Sequence, residues 1–468
     1  MADTSNLVTS VHLTPDEATY GCSKEIFVDG MQSPVTVHFP AGTTNGRAMT
    51  VQNVACIDTN GTVCNKTLYI AVWAQGVKPK RRTNIKSIIA ATLVVICIAL
   101  AIGFLRDSDA LDTRFYRGPE LIAGDVIPNL SQRYYLNSLD GPELQAACIV
   151  YQTVLDFKGQ CTLPHGVTTG EFEMLLLLLR AECPEILQLD FSNDIRYYYD
   201  VESNQVYSAY FQYDIDRAEY QTRLDACEEV VNSLCDATAD MTDAEKEKYI
   251  FDYLSMHTYY DDEAANAGNA YGAFIEGKAK CDGISLAMKW CMEEAGVSCL
   301  CILADPKEGA IGHAWNMVCL DGQYYNVDLT GSMRYYDEET TPYKDEIIYV
   351  MYNASDRWHE DEYIICDAFN YWNAKPICNT DLQSYYAQIN RLYPATSNAA
   401  GIANSVMNTS YKTKQSVSFQ VMSDEIFMLL QEDMEKIAKK WLLLNHPNER
   451  LTVEWAFFEN NVVWLIAR

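Results

Sequence analysis

At 468 residues the chain has room for about three domains, and 49% hydrophobic with 21% charged residues is a globular balance that excludes a disordered polymer. Its 35 basic residues face 64 acidic ones, and since Met1 to Lys86 holds 8 and 6 of these, 27 and 58 remain for everything beyond. Such a surface repels phosphate and makes nucleic acid a poor partner.

Residues 1–77 read as a β module. Leu13-Thr14-Pro15-Asp16-Glu17-Ala18 predicts a short capped helix, and Val35-Thr36-Val37-His38-Phe39 alternates like a strand. A second strand is expected near Ala48 to Val54 and a closing one over Leu68 to Trp73, with Cys56 and Cys64 flanking Asn60-Gly61 on a hairpin. Glu17-Ala18 with Gly21, the strand before Pro40-x-Gly42 and the Leu68-Tyr69 strand give a pattern similar to one copy of the C-terminal substrate-binding β domain of DnaJ-type co-chaperones. The chain has no His-Pro-Asp J domain and no repeated Cys-x-x-Cys module, so the resemblance implies only a small module holding a peptide or protein partner.

Lys78-Pro79-Lys80-Arg81-Arg82 precedes an uncharged apolar run from Ile88 to Leu105. With its shoulders, 85–105 is about 20 residues, enough to cross a hydrocarbon core, and it shows no polar stripe. A single transmembrane helix is expected there. The basic cluster on its N-terminal side holds the N-terminus and its partner in the cytoplasm and sends the remainder outside, giving a single-pass cell-membrane protein.

Residues 107–140, with Gly118-Pro119, Pro128 and Gly141-Pro142 at its end, lack periodicity and read as a tether. An accessory α+β region follows over 141–238. It has a capping box at Thr168 to Glu171, a helix stopped by Pro184, strands at Ile195 to Tyr199 and Val206 to Tyr213, and a helix through Leu224, Val230, Val231 and Leu234. Thr242 to Glu245 opens a further helix, and 239–400 reads as the catalytic domain.

Within it Cys281 begins a run in which Ile284, Ala287, Met288, Cys291 and Ala295 recur at helical spacing until Gly296. A thiol in a first turn faces unpaired amides and the positive end of the macrodipole, which favours thiolate. Gly312 to Leu320 and Gln323 to Leu329 read as strands joined by Asp321-Gly322, a pair that closes two-residue hairpins. That register sets Met317 opposite Asn326 and Trp315 opposite Asp328, so His313 becomes a diagonal neighbour of Asp328, roughly 7 Å away at the backbone. Thiol, imidazole and carboxylate are the attacker, base and orienter of nucleophilic acyl transfer.

Ala279-Lys280-Cys281-Asp282-Gly283, then Gly312-His313-Ala314-Trp315-Asn316, then Tyr325-Asn326-Val327-Asp328-Leu329-Thr330 resembles the transglutaminase-like cysteine hydrolase superfamily. The likeness reaches upstream to Asp252-Tyr253-Leu254 and Tyr259-Tyr260-Asp261, covering 245–331. It implies an α+β fold with a papain/transglutaminase-like core, in which a helix bearing Cys packs on an antiparallel sheet bearing His and Asp. It further implies Cys281 as nucleophile, His313 as base and acid, and Asp328 as the residue fixing the imidazole. Tyr271 is an oxyanion candidate, and Trp315 is read as a wall of the site. The expected activity is on peptide or protein amide bonds, with protease or amidase favoured over crosslinking. The alternative is an inactive transglutaminase-like scaffold that binds peptide.

Residues 411–468 read as a separate small βαββ unit: a strand at Val417 to Val421, a helix from Asp424 to about Asn445, and a hairpin around Asn460-Asn461. Twelve of the 16 cysteines follow the membrane run, with Cys227/Cys235 and Cys148/Cys161/Cys183 as candidates for disulfides of open connectivity. Seven histidines show no ligand spacing, so neither metal nor other cofactor is expected.

Overall fold

The computed structural model describes residues 7–28, 31–41, 43, 47–57, 63–74, 114–191, 195–307, 312–332, 343, 346–358 and 363–468. They belong to two units, Met1–Ala110 and Leu111–Arg468. The transmembrane helix expected at 85–105 lies outside the described residues, among which no helix is long and apolar enough to cross a membrane.

In the first unit β1 (Leu7–Leu13) leads into α1 (Pro15–Tyr20), capped by a Thr14–Glu17 box with Pro15 in its first turn. Gly21 ends that helix at φ 80, where a Cβ would stand 2.9 Å from the Phe39 carbonyl oxygen. β2 (Cys22–Ile26) pairs antiparallel with β3 (Val35–Phe39), while β4 (Arg47–Ile57) and β5 (Val63–Ala74) form the long hairpin in which Cys56 stands opposite Cys64. β1 adds parallel to the far side of β5, and Leu13, Ala18, Phe39, Leu68, Ile70 and Val72 fill the core.

The second unit begins with α2 (Ala123–Val126), α3 (Gly141–Leu155) and β6 (Gln160–Thr162). α4 (Thr169–Glu182), β7 (Ile195–Asp200), β8 (Gln205–Phe211), α5 (Arg217–Thr238) and α6 (Asp243–His257) follow. The capping boxes at Thr168 and Thr242 open α4 and α6. A two-residue parallel ladder, β9 (Tyr259–Tyr260) with β10 (Lys278–Ala279), delivers the chain to α7 (Cys281–Glu294). β11 (Cys299–Pro306), β12 (His313–Leu320), β13 (Gln323–Asp328), β14 (Met351–Ala354) and β15 (Tyr363–Ile365) make one antiparallel sheet in the order β14-β13-β12-β11-β15.

The central helix α7 is enclosed: every residue from Cys281 to Met292 is buried, because β11 and β12 cover one side and α5 and α6 the other. A helix apolar nearly all round belongs in such a place. Its one cation, Lys289, is buried with it, donating to the Cys299 carbonyl at 2.9 Å and paired with Glu293.

Several expectations are corrected. The tether expected at 107–140 is, from Arg114 onward, part of the core: Phe115, Ile127, Tyr135, Leu136 and Leu139 are buried. Arg133 reaches Glu185 at 2.7 Å, and the Glu182 carboxylate accepts the Tyr135 and Leu136 amides at 3.1 and 2.7 Å. Short turns pinned by single residues carry no periodic signal. The accessory region 141–238 and catalytic domain 239–400 share one hydrophobic core from Ile127 to Tyr386 rather than dividing at 238.

Nor does the C-terminal unit start at 411 or stand apart. It comprises β16 (Leu392–Tyr393), a helix at Ala399–Thr413, β17 (Val417–Val421), a helix at Asp424–Asn445, β18 (Val453–Phe458) and β19 (Val462–Ala467), with sheet order β16-β17-β19-β18. Along β19, Val463, Leu465 and Ala467 face a core built with the two helices, whereas Val462 and Trp464 face the central core. Cys148, Cys161, Cys183, Cys227 and Cys235 are free thiols. Cys227 and Cys235 both lie on α5, where an eight-residue separation is a rise of about 12 Å, too far for a disulfide.

Candidate active site

Lys280 is extended at φ −91 and ψ −178, and the helix starts at Cys281. The first intrahelical bond runs from the Ile284 amide to the Lys280 carbonyl at 3.1 Å, so the Cys281, Asp282 and Gly283 amides precede the ladder and point out of the helix end. Gly283 is dictated by the preceding loop: a Cβ there would stand 2.4 Å from the Ala267 carbonyl oxygen and 2.7 Å from that of Asn269. The loop therefore packs closely on the first turn of the helix.

The hairpin β12–β13 has the register its turn predicts, with Leu320 opposite Gln323 and Met317 opposite Asn326. Asp321 and Gly322 take φ 51 and 78, the two positive values of a primed turn. His313 Nε2 and Asp328 Oδ2 consequently meet at 2.6 Å. The other oxygen of Asp328 accepts the Thr330 amide at 2.9 Å, which fixes the carboxylate plane. With Nε2 held by Asp328, Nδ1 is the imidazole nitrogen left for Cys281.

The Cys281 thiol lies close enough to His313 to act on its charge. Burial by itself would favour the neutral imidazole, but the Asp328 charge, its hydrogen bond and the Cys281 contact outweigh it and raise the His313 pKa above the ordinary value. A cationic imidazole stabilises negative charge on the adjacent sulfur. Cys281 is 7% exposed, so the thiol is almost wholly covered.

Aromatic rings hold the histidine. Trp315 stacks on His313 at 6.0 Å between centroids and Tyr363 at 5.0 Å. Trp315 Nε1 donates to Asn326 Oδ1 at 2.9 Å, so the indole is a fixed wall. The Arg223 guanidinium lies 4.8 Å over the Tyr271 ring. The structure thus links His313 with Asp328, Trp315 and Cys281.

Sequence reasoning missed three participants. Tyr363 comes from edge strand β15, where Pro306 pairs with Tyr363 and Ala304 with both His313 and Ile365, a long-range pairing without local signal. Asp282 sits inside the Cys-Asp-Gly motif, and its Oδ1 is 3.5 Å from the Cys281 sulfur. Arg180, 102 positions upstream of Asp282, pairs with that carboxylate. Among the described residues no group of three or more His, Cys, Asp or Glu is placed to hold a metal ion.

Residues 232–329 match the family model described as Transglutaminase-like superfamily, and the match contains Cys281, His313 and Asp328. This part of the chain is a transglutaminase-like domain. No curated protein matches the chain. Among solved structures it is similar to one described as a TGase, at 15% identity over 42% of this chain and 52% of the other, with a TM-score of 0.22. It is also similar to the periplasmic domain of TgpA from Pseudomonas aeruginosa bound to ethylmercury, at 15% identity over 28% of this chain and 58% of the other, TM-score 0.19. The chain spans little more than half the length of either.

Proposed function

We propose that the chain is a membrane-anchored cysteine enzyme that cleaves amide bonds of peptides or proteins through a thioester on Cys281. The observation that carries this reading is His313 held at 2.6 Å by Asp328, with the Cys281 thiol near enough to act on the imidazole's charge. In the proposed cycle the Cys281 thiolate, whose proton His313 already holds, attacks the carbonyl carbon. The Cys281 amide at the open helix end is the donor for the resulting oxyanion. Collapse breaks the carbon–nitrogen bond, and His313 returns its proton to the leaving amine. Water, deprotonated by His313, then attacks the thioester and releases the acid and the thiol. Asp328 keeps the ring oriented throughout. Hydrolysis is favoured because water needs no second binding site, whereas crosslinking requires an amine seated beside the thioester.

In this reading the apolar run at 85–105 anchors the chain, Lys78 to Arg82 stay on the cytoplasmic side, and the catalytic region faces outward. The N-terminal module then holds a peptide or protein partner in the cytoplasm. A peptide library incubated with wild type and with Cys281→Ala, read by mass spectrometry, tests the activity. Cleavage or deamidation by wild type alone is expected. Retention of peptides by both proteins without chemical change supports instead an inactive transglutaminase-like scaffold.

A further inference from the structure

The triad leaves one buried charge beside the thiol without a task. Asp282, 7% exposed, accepts from the Cys281 sulfur through Oδ1 at 3.5 Å. Its Oδ2 is held by Arg180 Nη2 and lies 3.6 Å from Lys280 Nζ. The charged or titratable groups around the sulfur are therefore Lys280 and Asp282 at its own helix end, Arg180 from α4, Cys301 from β11, His313 from β12 and Asp328 from β13. A carboxylate so near opposes negative charge on sulfur. It also competes with His313 for the thiol proton. Only a cation on its far side removes that opposition. Lys280 is the more distant and its side chain is 38% exposed, hence screened by solvent, whereas that of Arg180 is 24% exposed and in direct contact.

We propose that Arg180 is a positioning residue for the thiol: by pairing with Asp282 it cancels the carboxylate's charge at Cys281 and permits the thiolate. This rests on the reading of Cys281 as nucleophile. It also makes the segment before the family match a structural part of the site, which accords with the core shared across residue 238.

The test is the rate of Cys281 alkylation by iodoacetamide in the full chain, followed by peptide mass spectrometry over a pH series from about 5 to about 9. Arg180→Met is expected to slow alkylation about tenfold near neutral pH and to move the rate–pH curve upward by about one unit. Arg180→Lys should retain most of the wild-type rate. Arg180→Met with Asp282→Asn should restore the wild-type curve, since the charge needing cancellation is gone. Asp282→Asn alone, which keeps the side-chain shape should Arg180→Met fail to fold, is expected to react at least as fast as wild type at every pH. Superimposable curves for wild type and Arg180→Met, a double variant as slow as Arg180→Met, or a slower Asp282→Asn each overturn the proposal. Those outcomes on a reactive, His313-dependent thiol leave the nucleophile reading intact. A wild-type Cys281 no more reactive than its neighbours and indifferent to His313→Ala removes that reading instead.

Discussion

Asn316 donates from Nδ2 to the Ser285 carbonyl at 2.9 Å and so ties the strand of His313 to the helix of Cys281, one turn below the thiol. The same amide reaches the Leu300 carbonyl at 3.2 Å, bringing β11 into the joint. Docking of helix on sheet, which decides whether thiol and imidazole meet, runs partly through this buried side chain, beside the Lys289 bond to the Cys299 carbonyl.

Asn316→Leu, close in volume, therefore removes the joint without emptying the space. Loss of about 1–3 kcal/mol in urea unfolding is expected, from carbonyls left without their donor. Cys281 alkylation should fall more than the unfolded fraction accounts for. A stability loss with an unchanged alkylation rate would show that packing alone seats the helix.

The His313–Asp328 pair sets a pH signature. Asp328 raises the imidazole's pKa on folding, against the pull of burial, so the pair's contribution to stability is full below the ordinary imidazole range, roughly 6.5, and is lost as pH rises through the elevated native value. Asp328→Asn should lower stability most at acid to neutral pH and little at strongly alkaline pH, as read by thermal melts. It should also slow Cys281 alkylation at neutral pH, because the cationic imidazole is lost.

A buried acid elsewhere has the same sense in a lower pH window. Glu247 on α6 has no exposed surface; its Oε2 accepts from Asn353 at 2.8 Å and Tyr352 at 3.2 Å, and burial pushes its pKa from 4.5 to about 8 despite those bonds. The folded state then holds a proton that the unfolded chain releases, so stability falls as pH rises from about 4.5 toward about 8. Glu247→Gln should flatten that fall and gain on the order of a few kcal/mol near pH 8 relative to wild type. Parallel melting curves for the two proteins across this range would contradict it.

The segment from Arg114 to Asp140 offers a test by truncation. A fragment starting at 141 loses Ile127, Tyr135, Leu136 and Leu139 from the core and strips the Glu182 carboxylate of two amide donors. It is expected to be insoluble or to lack a cooperative melt, whereas one starting at Arg114 should melt cooperatively. Equal melting of the two fragments would return the segment to the role of a tether.

The legible parts of this protein were those whose signal is local. The turn Asp321-Gly322 dictates the hairpin register and with it the meeting of His313 and Asp328; Thr168 and Thr242 announce helix starts by their own side chains. What stayed hidden depends on pairing at a distance. Tyr363 reaches His313 only because β15 lies along the edge of β11, and Arg180 reaches Asp282 only because α4 packs on the sheet. The domain divisions at 238 and 411 failed for a related reason: composition marks where elements begin, while cores are shared by residues far apart, as Trp464 and Glu346 are when the indole donates to the carboxylate at 3.0 Å.

β19 lies between β17 and β18 and lends alternate side chains to two cores at once. Its residues are made after nearly everything they complete, so the C-terminal interior lacks Val463, Leu465 and Ala467 until the ribosome has passed them. Until then the growing polypeptide offers its greasy surfaces to chaperones and proteases. If the region beyond the anchor is exported as proposed, it should thread through the translocation channel as an open strand and acquire its shape only on the far side.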